Sequence, residues 1–137
     1  MLHYAIAYCV TIVAFLLVDF IWLGYLARGF YAGQIGPFLL DEPRLGVAAA
    51  FYCLYVIGIV AFAVMPALKA ESAMTAVALG ALFGLIAYGT YDMTNYATLK
   101  NWPFTVVAVD MAWGTFLTAT SALAGFHGTR LLSQSLS

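Results

Sequence analysis

Tyr88-Gly-Thr-Tyr-Asp-Met-Thr-Asn-Tyr96 decides how this chain is read. It sets Asp92 and Asn95 inside a stretch that otherwise looks like a membrane-spanning helix. A charge in mid-bilayer costs at least about 2.5 kcal/mol, so an acid there needs a reason. Two more acids sit in comparable apolar runs: Asp19 in Val18-Asp-Phe-Ile-Trp22 and Asp110 in Val109-Asp-Met-Ala-Trp113.

The rest of the chain agrees with a membrane setting. Of 137 residues, 65% are hydrophobic and 8% charged, where a soluble domain carries about 25% charged residues. Mean hydropathy is +0.98. The composition points to an all-α integral membrane protein with one transmembrane domain, residues 1–137. The net charge of -1 gives no basic patch for nucleic acid. Every Lys and Arg falls in a loop or tail, so the intramembrane acids lack an obvious basic partner. The N-terminal run has no basic leader and is read as the first span, not as a cleaved signal.

Four spans are expected, at about 4–27, 45–68, 73–98 and 104–126, with an interfacial amphipathic loop over 28–44. Each is long enough to cross ~30 Å of hydrocarbon at about 1.5 Å per residue. Each must be helical, because an open strand leaves its backbone unpaired in lipid. Asp41 and Pro43 suit the start of the second span, Pro66 its end, and Ser72 the cap of the third. Trp102 is expected at the headgroup level. The short connections force an antiparallel up-down four-helix bundle. Counting Arg28, Arg44 and Lys100 against Lys69 and Arg130 places the loop-rich face in the cytoplasm by a single charge.

The alternating direction of the spans brings the acids together. Asp19 and Asp92 lie toward the ends of spans one and three, and Asp110 lies near the start of span four. All three are therefore displaced toward the same face, by roughly 6–10 Å. Tyr88, Asp92 and Asn95 share a helical stripe, so Asn95 and Tyr88 are expected to orient the acids. Trp22 and Trp113 each follow an Asp by three residues. They are expected to diverge, one toward the loops and one toward the midplane. Trp22, Tyr91 and Trp113 are candidate pocket walls, although aromatics near a membrane face are more often interfacial anchors. A lone intramembrane Asp more often only bonds a neighbouring helix, worth about 1 kcal/mol; three at one level favour a shared site.

Such a site can hold a proton, a hard cation or an organic amine, or it can act as an acid/base pair. No metal is expected, and no cofactor is implied. The chain has no phosphate loop, no Cys-x-x-Cys and no His-Glu-x-x-His, and His3 and His127 lie on the far face. Gly80-Ala-Leu-Phe-Gly84 is a small-residue run suited to close helix packing, within the bundle before across a dimer.

Four segments together resemble a known family: Asp19-Phe-Ile-Trp-Leu-Gly24, Ala87-Tyr-Gly-Thr-Tyr-Asp-Met-Thr-Asn95, Ala97-Thr-Leu-Lys-Asn-Trp-Pro103 and Val109-Asp-Met-Ala-Trp-Gly-Thr115. The chain is similar to the bacterial membrane proteins grouped as domain of unknown function 2177. The resemblance implies four spans in a bacterial inner membrane and brings no activity, cofactor or catalytic residue. The leading functional expectation is a proton- or cation-linked binding or transport protein for a small or lipid-like solute. A membrane enzyme acting on a lipid or isoprenoid, and an accessory subunit of a larger membrane complex, are the alternatives. The expected partners are the lipid bilayer, a small-molecule or lipid ligand, and a second copy of the chain.

Overall fold

A computed structural model describes residues 1–136. Four helical stretches are long and apolar enough to cross a membrane: Leu2–Leu26, Leu45–Ala70, Ala73–Thr98 and Phe104–Leu136. No strand occurs among the described residues. The first span is α1 (Leu2–Ile21) followed by a wide π-helical turn at Trp22–Leu26. A short helix, α2 (Arg28–Ile35), fills the long loop. The second span is α3 (Leu45–Ile59), a second wide turn at Val60–Val64, and α4 (Met65–Ala70). The third and fourth are α5 (Ala73–Thr98) and α6 (Phe104–Leu136).

Several expected boundaries move. Pro66 does not end the second span, because it sits in the first turn of α4. Proline lacks an N–H and its ring clashes with the carbonyl four residues earlier. The wide turn just before it relieves both problems, so the helix continues to Ala70. Glu71 then takes a left-handed conformation, φ 54°, which stops the helix. The Ser72 hydroxyl accepts from the Thr75 amide at 3.1 Å and caps α5, as its position suggested. Asp41 does not cap α3, whose N-cap is Arg44 with no side-chain bond. The last helix runs about three turns past Phe126.

The bundle is antiparallel, with α6 at its centre. It packs most extensively on α5 and next on α1. Gly80 and Gly84 make the α5–α6 approach possible. A Cβ at Gly80 would lie 3.0 Å from the Thr118 carbonyl oxygen, and one at Gly84 would run into the Gly114 carbonyl. The Gly-x-x-x-Gly run is thus used inside the bundle. Phe15, Val56, Ile59, Leu117 and Phe126 are fully buried at the centre. Leu17, Phe20, Phe62 and Phe116 remain exposed, as lipid-facing residues should.

Two features position the site. First, α3 lies against α1, and the second span approaches α5 closely only from the turn at Val60–Val64 onward, leaving a wedge on the loop-rich side. Second, α2 folds under the bundle, where Ile35, Trp102, Val106 and Val107 form a small second core. Trp102 is only 7% exposed and packs its ring near Phe38 and Tyr91. It is a core residue, not a headgroup anchor, because α2 covers it.

Candidate functional site

Three carboxylates meet on the loop-rich side, with Asp110 between the other two. Asp19 interacts with Asp110 from α1, and Asp92 lies beside Asp110 from α5. Asp19 accepts a hydrogen bond from Trp113 Nε1 at 3.1 Å, and the Tyr52 hydroxyl of α3 lies next to it. Asp110 accepts from the Tyr31 hydroxyl at 2.7 Å. Tyr31 in turn accepts from Trp22 Nε1 at 3.3 Å. Asp92 is fully buried, yet neither of its oxygens has a hydrogen-bond partner among the described residues. The Asp110 carboxyl lies close beside it, and as two carboxylates the pair has no donor to share.

The two tryptophans do not diverge. Their rings stack, centroids 4.4 Å apart and planes 10° from parallel. Helical side chains lean toward the N-terminus of their own helix. On antiparallel helices, Trp22 therefore leans toward the midplane and Trp113 toward the loops, and the two close the one-turn gap. The same antiparallel offset sets Asp19 level with Trp113 and Asp110 level with Trp22. Each acid is thereby served by the opposite helix's indole, directly for Asp19 and through Tyr31 for Asp110.

Tyr31 lies in α2, outside the spans. Burial, followed by its bond to the Asp110 carboxylate, pushes its phenol pKa well above the usual range. It therefore stays protonated and keeps donating.

Two cavities meet at Asp110. One, of about 400 Å³, fills the wedge between α3 and α5. Phe15, Phe51, Tyr52, Tyr55, Tyr88 and Tyr91 wall it, with Ala87 and Asp110. Phe51 and Tyr91 are more than half exposed on the lipid-facing surface, so this cavity opens sideways into the bilayer. The other, of about 460 Å³, lies toward the loops and includes Arg28, Tyr31, Tyr91 and Asp110. Asp110 and Tyr91 line both.

Tyr88 lies against Gly114 of α6, where a Cβ would overlap its ring. That glycine lets the ring turn into the wedge. The Tyr55 hydroxyl is tied to Thr118 Oγ1 at 2.8 Å, fixing a second wall. Asn95 is half-buried, lines neither cavity and makes no side-chain hydrogen bond to the acids. Tyr31, Tyr52, Tyr55 and Arg28 were not singled out by sequence. Tyr52 and Tyr55 gave a usable signal: two hydroxyls one turn apart on a span with no charge. Tyr31 gave none, since α2 folding beneath the bundle is a tertiary event. No group of His, Cys, Asp and Glu suited to a metal ion occurs among the described residues.

Neither a curated protein nor a solved structure matches the chain significantly. Over residues 4–127, however, it matches the family described as "Predicted membrane protein (DUF2177)". With four apolar spans and this match over most of its length, the chain is a multi-pass membrane protein and belongs to that family.

Proposed function

We propose that the protein is a proton-linked binding and transport protein for a lipid-like solute, working in a bacterial inner membrane. The observation that carries this reading is the position of Asp110, which borders both the lipid-facing wedge and the loop-side cavity. A group bound to it can be reached from either side by small movements of Tyr91 and Tyr31.

The proton belongs to the Asp92–Asp110 pair. Two like charges ~4 Å apart repel by about 4 kcal/mol at an effective dielectric of 20, before any cost of burial. Asp92 has no donor to offset that repulsion. One proton shared by the pair removes it and leaves a single charge, which Tyr31 supports. Asp19, held by Trp113, anchors the arrangement from the other side.

Infrared titration of the reconstituted protein tests the proton site. A protonated-carboxyl band should persist at neutral pH and disappear in Asp92→Asn. A wild-type spectrum with only ionised carboxylates at neutral pH would overturn the assignment.

A further inference from the structure

We infer that the solute is an amphiphile with a cationic amine headgroup, which enters the wedge between α3 and α5 directly from the lipid. This deepens the reading above and rests on it. The wedge has an apolar mouth and a polar end. Phe51 stands exposed at the mouth, the fully buried Phe15 lines the interior, and Asp110 of the central helix closes the inner end. A hydrocarbon tail can stay in lipid while the headgroup reaches the acid, so only the headgroup and its first methylenes need fit the ≈ 400 Å³.

Charge selects the headgroup. The groups facing Asp110 are Asp19 from α1, Tyr31 from α2, Tyr52 from α3, and Tyr88, Tyr91 and Asp92 from α5. None of these is a cation. Arg28 lines only the loop-side cavity. An anionic headgroup would meet only acids and phenols in the wedge. A neutral one would bring no positive charge to stand in for the shared proton. An ammonium would find a carboxylate and the aromatic rings of Tyr52, Tyr55 and Tyr88, whose faces attract cations.

The same geometry links binding to the proton. An ammonium beside Asp110 supplies the positive charge that the shared proton had supplied, so the proton is no longer held and leaves. Charge in the site is then the same before and after exchange. The loop-side cavity, which also borders Asp110, is the exit for one of the two.

The test uses the full chain in lipid nanodiscs, with empty nanodiscs as baseline. Dodecylamine, dodecyl sulfate and dodecyl maltoside present one tail with a cationic, anionic or neutral head. Dodecylamine should bind saturably, with proton release seen by a pH dye, and at least about tenfold more tightly than the other two. Asp110→Asn should weaken it by at least about tenfold. Ala87→Phe, which fills the wedge without changing charge, should weaken binding as well, and it decides the matter if Asp110→Asn fails to fold. Equal binding of all three heads, lost in Ala87→Phe, would leave a solute site but overturn the cationic headgroup. Unchanged dodecylamine binding in a folded Asp110→Asn would also overturn it. Absence of saturable binding by any head would overturn the transport reading as well.

Discussion

Trp22 and Trp113 stack face to face at 4.4 Å, one from the first span and one from the last. The stack locks α1 to α6 beside the carboxylates, and its two indole N–H groups point in different directions. Trp113 donates to Asp19, and Trp22 donates to Tyr31. The two indoles are therefore unequal in what they support.

Trp113→Phe keeps an aromatic ring and removes the donor to Asp19, which is only 5% exposed. Asp19 then keeps only the Tyr52 hydroxyl beside it, and losing one of a buried carboxyl's donors costs about 1–3 kcal/mol. Trp22→Phe should cost less, because Tyr31 continues to donate to Asp110. Unfolding in mixed micelles measures both variants. Equal losses would contradict the unequal roles.

Tyr31 predicts an alkaline weakness. Its phenol holds its proton more tightly in the folded protein than in the unfolded chain. Stability from this group is therefore complete below the unfolded phenol pKa of about 10 and falls as pH rises beyond it. Tyr31→Phe should lower stability at neutral pH by about 1.5–3 kcal/mol, the usual worth of a hydrogen bond to a charged group. It should also make the alkaline decline shallower than in the wild type. Melting curves at a series of pH values check this, and parallel declines would refute it.

Gly84 and Gly89 should respond differently to alanine. At Gly84 the new methyl meets the Gly114 carbonyl and Thr118, which cannot move without separating α5 from α6. The expected cost is about 1–3 kcal/mol. At Gly89 the nearest atom is the terminal methyl of Met111, 3.0 Å away on a flexible chain. Gly89→Ala should be close to neutral. Comparable destabilisation of both would mean that the α5–α6 approach is not set by its glycines.

Much of the architecture was open to reading because lipid removes choices. Long apolar runs must be helices, and turns as short as Glu71-Ser72 must return the chain antiparallel. The level of Asp19, Asp92 and Asp110 followed from the same alternation. Pro66 misled because a proline's effect depends on the turn before it, and the wide turn at Val60–Val64 has no clear local signature. The expected divergence of Trp22 and Trp113 failed because it followed Cα levels and ignored the lean of side chains.

By itself, then, the sequence determined the four crossings, their alternating direction and the shared depth of the acids, since these depend on hydropathy and helix rise alone. Only the tertiary structure decided which donor serves which acid, that α2 brings Tyr31 to Asp110, and that a wedge opens between α3 and α5. Those features depend on how helices tilt and where side chains lean, and contacts between residues far apart in the chain set both.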